Sequence, residues 1–238
     1  MPATEGFANP VFCAIDRPDL PAAVDLARSL VGTVGGVKIG LELFTANGPA
    51  AVDGIAALGL PVFLDLKLHD IPNTVAGAVR AVVPLGPAML TMHASGGRAM
   101  LEAAVAAAGP ADRRPWLLGI TVLTSLDAED LADTGIAGTT LDHALRMAEL
   151  CARAGLDGVV CSPREIAAVR QRFGRDLRLV VPGIRAEGDA VGDQKRTMGP
   201  AEAVALGADV LVVGRPITRA AAPRLAAETL ARGLARAA

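Results

Sequence analysis

Three things are scarce in this 238-residue chain: charge of one sign, clustered histidine and paired cysteine. Lysine and arginine number 23 against 25 acidic residues, a net charge of −2, which gives no reason to expect nucleic acid or an anionic membrane as partner. The three histidines, His69, His93 and His143, are scattered, so a histidine-based metal site is not expected. Cys13, Cys151 and Cys161 are odd in number and have no CxxC spacing. With Cys13 and Cys161 inside apolar runs, they read as buried reduced thiols, which suits a reducing compartment. No apolar run is long enough to span a bilayer, and the Ala-rich ones read as helix interiors. The opening MPATEGFANP has neither a basic start nor an apolar stretch after it, so no signal peptide is expected and the cytoplasm is the expected location.

What is present is a large apolar fraction, 52%, with 20% charged residues, enough for a sizeable core and contrary to disorder. Trp116 and the five phenylalanines read as core. Short β-branched runs recur at 11–16, 36–40, 61–67, 88–94, 116–123, 158–162, 178–183 and 210–215. Helix-period stretches lie between them at 20–31, 47–58, 73–83, 97–108, 140–154, 163–173 and 200–206, and the tail 217–236 reads as one or two helices. Strand–helix alternation predicts a parallel sheet covered by helices. Eight such units in this length predict a single-domain α/β fold over residues 1–238, a closed (β/α)8 TIM barrel. Two connections are longer than usual: 124–139, and 184–199, which carries several glycines and charges and has the composition either of a solvated loop or of a lid.

Polar residues gather at the C-terminal ends of the strands, where barrel enzymes place their sites. Asp16 closes the first run, Lys38 lies near the end of the second, His93 ends the fourth, and Thr124 and Ser125 follow the fifth. Gly183 and Arg185 follow the seventh, and Gly214 and Arg215 the eighth. The densest stretch is PVFLDLKLHDIPNT at 61–74. Alternation puts Val62, Leu64, Leu66 and Leu68 on one face and Phe63, Asp65 and Lys67 on the other. Asp70 follows beside the chain-turning Ile71–Pro72, so two carboxylates bracket one ammonium at a strand end. Lys38 has Asp65 as a partner on the next strand, and Asp16 continues the row. An alternating set of charges lets each buried member be neutralised by its neighbours. A lysine held charged there is a poor nucleophile, but a good partner for a developing carbanion and then its proton donor. The forked guanidinium of Arg215 beside Gly214, just before a helix, suits a phosphate.

DLKLHDIPNT at 65–74 resembles the signature of the orotidine 5′-phosphate decarboxylases. The resemblance continues in AID at 14–16, VKIG at 37–40, MHASGG at 92–97, LTS at 123–125, PGIR at 182–185, Gln194 and VVGRPIT at 212–218. Val181 is a small departure, standing where many members have a polar residue. The resemblance implies a barrel that converts orotidine 5′-monophosphate to uridine 5′-monophosphate without a cofactor or metal. It implies that Lys67 donates a proton to C6 of the pyrimidine, with Lys38, Asp65 and Asp70 completing the catalytic array. It implies that Asp16 and Lys38 bind ribose hydroxyls, that Thr124 or Ser125 meets the pyrimidine edge, and that Gln194 bridges base and phosphate. Arg185, Gly214 and Arg215 would hold the phosphate, and Ile71 and Pro182 belong to the implied substrate-binding set. A homodimer is implied, with Asp70 and Thr74 acting in the partner's site. Two other readings remain open: a metal-dependent sugar-phosphate decarboxylase or aldolase on the same barrel, and a non-catalytic barrel that binds a phosphate ligand. The first needs an acidic residue on the second strand, where Lys38 stands; Glu42, just beyond, reads as a helix-start residue.

Overall fold

The computed structural model describes residues 6–185 and 197–235. Eight parallel strands close in chain order, the first pairing with both the second and the eighth: β1 Val11–Ile15, β2 Gly36–Ile39, β3 Val62–Leu68, β4 Met89–His93, β5 Trp116–Ile120, β6 Gly158–Val160, β7 Arg178–Val181 and β8 Val210–Val213. The predicted (β/α)8 barrel is therefore what the chain forms; seven of the predicted strand runs contain their strand, and β3 runs one residue past the expected 61–67.

Period-2 alternation sorts the strand residues into two cores. Phe12, Phe63, Met89, Trp116, Leu118 and Val210 are among those that fill the barrel interior. Phe7, in the segment before β1, stacks edge-on against Phe12 and Trp116 and closes the N-terminal end. The alternate residues, such as Val11, Val37, Leu64, Leu90 and Leu179, pack outward beneath the helices. The leucine face of β3 follows this rule: Val62 and Leu64 are buried in the outer layer, and Leu66 and Leu68 pack against it.

The helices are α1 Leu20–Leu30, α2 Leu41–Asn47, α3 Pro49–Ala56, α4 Pro72–Val82, α5 Arg98–Ala108, α6 Ala128–Asp133, α7 Thr140–Ala154, α8 Ile166–Phe173, α9 Pro200–Ala205, α10 Arg215–Thr218 and α11 Pro223–Ala235. Two stretches differ from the sequence reading, and a third settles the choice between one and two helices in the tail. The stretch 47–58 is not one helix: Gly48 (φ 60°, ψ −144°) ends α2, and Pro49 at a first helical position starts α3. The connection 124–139 contains α6, opened by a reciprocal Asp127–Asp130 capping box and anchored by Leu131 against Val122 and Ala144. The tail resolves into two helices, with the short α10 directly after β8. No helix among the described residues is long and apolar enough to cross a membrane.

Cys13, Cys151 and Cys161 are all buried, and none is part of a disulfide. Burial pushes the thiols of Cys13 and Cys151 up to about 12. They are therefore protonated and inert at neutral pH.

Candidate active site at the barrel mouth

The inward face of each strand changes character toward its C-terminal end. On β3 the apolar Phe63 is followed by Asp65 and Lys67, two and four residues on. On β2 the inward side chain is Lys38, paired in register with Ala14 of β1 and Phe63 of β3. These side chains open into a cavity of about 580 Å³.

Asp65 is the hub of the charged row. Its Oδ2 accepts from Lys67 Nζ at 2.7 Å and lies 3.4 Å from Lys38 Nζ. Lys38 reaches on to Asp16 Oδ1 at 3.3 Å. The other oxygen, Oδ1, accepts the hydroxyl of Thr91 from β4 at 2.9 Å. Asp65 is 6% exposed, and burial by itself would raise its carboxyl pKa. The charges of Lys38 and Lys67, with hydrogen bonds from Lys67 and Thr91, outweigh that penalty and hold the group below its ordinary range. The residue stays an anion because two ammoniums and a hydroxyl replace the water it has lost.

The row also depends on a missing side chain. A carbon placed on Gly40, just beyond β2, would lie 2.9 Å from both Asp16 Oδ1 and Lys38 Nζ. Glycine at that point lets the ion pair close over the backbone. The backbone of Lys67 is unusual as well: at φ 51° it is the one non-glycine residue of positive φ among the described residues, and the β3–β4 register shifts between Leu64 and Leu68. The strand bulges where its lysine enters the cavity, a device that re-aims a side chain.

The same cavity is lined by Pro182 and Arg185 after β7, and by Gly214 and Arg215 at the start of α10. Thr124 and Ser125 line it from the β5 end. Ten of the residues singled out in the sequence thus share one cavity. Asp70, Ile71 and Thr74 do not. The chain turns outward at Ile71–Pro72, Asp70 accepts the amide of Ile71 at 2.7 Å, and residues 69–74 are exposed. Within one chain, then, only Asp65 of the two expected carboxylates flanks Lys67. Gln194 lies outside the described residues.

Thr91 escaped the sequence reading although it is fully buried. The signal was there: it stands two residues from Met89 and two from His93, on the inward face of an otherwise apolar strand. Glu42, Thr218 and Arg219 also line the cavity. His93 is partly buried, and its pKa is lowered by that burial, then by His69 and Lys67, so it is neutral at pH 7. Its ring lies 5.3 Å from that of the exposed His69. Among the described residues no three of His, Cys, Asp and Glu come together as a metal-holding group.

Fold and site together define a class: a (β/α)8 barrel whose C-terminal mouth carries a row of alternating lysines and aspartates and, in the same cavity, arginines suited to an anion. The family model described as "Orotidine 5'-phosphate decarboxylase / HUMPS family" matches residues 9–230, and the chain belongs to that family. Among its relatives, the orotidine 5′-phosphate decarboxylase of Sphingopyxis alaskensis is 53% identical over 93% of this chain and 97% of its own length. That of Rhodospirillum rubrum is 52% identical over 97% of this chain and 96% of its own. The crystal structure of orotidine 5′-phosphate decarboxylase from Lactobacillus acidophilus superposes with a TM-score of 0.83 at 33% identity, covering 95% of this chain and 99% of that one.

Proposed function

We propose that the protein, as one barrel domain spanning the chain, decarboxylates orotidine 5′-monophosphate to uridine 5′-monophosphate and CO₂ without a cofactor, a step of pyrimidine nucleotide synthesis in the cytoplasm. The observation that carries this reading is the Lys38–Asp65–Lys67 row, which lines the same cavity as Arg185 and Arg215.

The chemistry follows from charge. When the bond from C6 to the carboxylate breaks, its electron pair stays on C6 as an sp² carbanion with little resonance help. A site that accelerates this step must stabilise negative charge that exists only in the transition state. The Lys67 ammonium, fixed 2.7 Å from Asp65, is a preorganised positive charge in a partly desolvated pocket. It then gives its proton to C6, which completes uridine 5′-monophosphate, and regains one from solvent. Asp16 and Lys38 are assigned to the ribose hydroxyls, Thr124 or Ser125 to the pyrimidine edge, and Pro182 to its surroundings; Ile71, outside its own chain's cavity, reaches a substrate only across a subunit interface. Arg185, Gly214 and Arg215 take the phosphate, with Gln194 bridging phosphate and base. Binding energy from the remote phosphate is then available for the reacting end.

In this reading the working unit is a homodimer. The exposed 69–74 turn, with Ile71 66% exposed, supports it, because Asp70 and Thr74 are exposed and stand outside their own cavity's lining, accessible to a partner's. Asp70 of one chain would then supply the second carboxylate beside Lys67 of the other.

The metal-dependent sugar-phosphate reading needs an anionic ligand where Lys38 lies between Asp16 and Asp65, and a cation there would be repelled. The test is release of CO₂ from orotidine 5′-monophosphate with a chelator present, for the native chain and for Lys67→Ala. Chelator-resistant turnover that falls by at least about 10³-fold in Lys67→Ala, with uridine 5′-monophosphate still bound, is the expected result. Chelator-sensitive turnover, nucleotide binding without CO₂ release, or an active Lys67→Ala enzyme overturns the reading.

A further inference from the structure

Thr91 is fully buried midway along β4, and its hydroxyl is used twice. It accepts the backbone N–H of Lys67 at 2.9 Å and donates to Asp65 Oδ1 at 2.9 Å. The direction is not adjustable. The amide can only donate and the carboxylate can only accept, so the single hydroxyl proton must point to Asp65.

Each end of this bridge meets a need the rest of the sheet does not. At the bulge the Lys67 amide has left the β3–β4 ladder, and a partly buried N–H without an acceptor is costly. Thr91 supplies that acceptor from the neighbouring strand and so holds the left-handed backbone of Lys67 in place. At the other end, occupying Oδ1 sets the rotation of the Asp65 carboxylate. Its Oδ2 then faces Lys67 Nζ and Lys38 Nζ together. Both the direction of the catalytic lysine and the position of its counter-ion pass through one hydroxyl.

We propose that Thr91 is a positioning residue for proton delivery, whose hydroxyl ties the bulge at Lys67 to the rotamer of Asp65. This rests on the decarboxylase reading above. It differs from an ordinary buried threonine in what its loss disturbs. A threonine that only fills and stabilises the core would, on mutation, lower the melting temperature. A positioning threonine lowers kcat while the distant phosphate grip, and with it ligand affinity, is unchanged.

The experiment compares the full chain with Thr91→Val, which keeps the shape and removes the hydroxyl, and Thr91→Ser, which keeps the hydroxyl. Thr91→Ala serves if the valine variant does not fold. Turnover of orotidine 5′-monophosphate, inhibition by uridine 5′-monophosphate, and hydrogen exchange of the Lys67 amide are measured. Thr91→Val is expected to lower kcat about 10- to 100-fold, the cost of stranding buried polar groups. KM and inhibition by uridine 5′-monophosphate should change less than about threefold, and Thr91→Ser should recover most of the lost rate. The Lys67 amide should exchange at least about 10-fold faster in Thr91→Val than in the native chain. The acid limb of kcat/KM should also move to higher pH, since a hydrogen bond favouring ionised Asp65 is gone. The other charged and titratable groups around it, Lys38 from β2, Lys67 on β3, His93 on β4 and Asp16 beyond β1, are unaltered. Native kcat in Thr91→Val, equal impairment of Thr91→Val and Thr91→Ser, or an unchanged Lys67 amide overturns the proposal. A native chain that releases no CO₂ refutes the decarboxylase reading instead, and the amide exchange still decides whether Thr91 holds the bulge.

Discussion

Asp65 shows how a single buried carboxylate becomes the pivot of a site. Its desolvation is offset by Lys67, Lys38 and Thr91 from three adjacent strands, which hold it ionised below the ordinary carboxylate range. The sign of the pH effect follows. A carboxylate whose folded pKa lies below its unfolded value adds stability that is complete above the unfolded value and is lost as pH falls through the folded one. The melting temperature of the native chain should therefore include an acid-labile component that appears below about pH 4. Thermal melts across pH 3–7 on the native chain and Asp65→Asn check this, and the variant should show the shallower acid decline. Asp65 was readable from the alternation in 61–68, because period 2 puts it opposite the leucines. For Thr91 the alternation gives only the inward face; the groups its hydroxyl reaches follow from the neighbouring strand.

At the scale of single elements, α10 is the part whose role is easiest to test. It begins at Arg215 directly after β8, and Pro216 in its first turn carries no N–H. Recognition of an anion there depends more on the guanidinium than on helix amides. Arg215→Ala should raise KM for orotidine 5′-monophosphate by about 10- to 200-fold, the range for loss of a charge-assisted contact. Added phosphite should then stimulate turnover of a substrate lacking the phosphate in the native chain; absence of any response in steady-state assays would remove the remote grip from the account. Caps explain which helices were legible. The Thr139–Asp142 capping box and the glycine at 155 bound α7 where the sequence placed it, 140–154. The Asp127–Asp130 box of α6 carries the same kind of signal on a six-residue helix, too short to show an apolar period.

For the whole molecule the question is whether two chains share a site, as proposed above. The 69–74 turn leaves its own cavity, exposing Asp70, Ile71 and Thr74 to whatever packs on that face. If Asp70 acts across a dimer, mixing Lys67→Ala and Asp70→Ala chains under exchange yields some sites with both residues intact. Random pairing predicts recovery toward about one quarter of native sites per total chain, since only one of the two sites in each mixed dimer is complete. Turnover of the mixture against each parent measures it, and a mixture as inactive as its parents rules out Asp70 acting in trans.

Strand number, the alternation of faces, the starts of α1, α7 and α9 and the charged row from Asp16 to Lys67 could all be read from the linear chain. Each is a short-range pattern with a period or spacing of its own. Closure of the barrel is what brought Lys38, Asp65 and Thr91 within hydrogen-bonding range, because they come from three strands whose relative height depends on sheet register. Closure likewise made Gly40 the space an ion pair needs, and Gly119 the space for Cys151, whose Sγ would lie 2.1 Å from any added carbon. The outward turn of Asp70 belongs to that same level. A spacing of three residues fits a neighbour of Lys67, and only the path of the backbone past the bulge carried it out of the cavity.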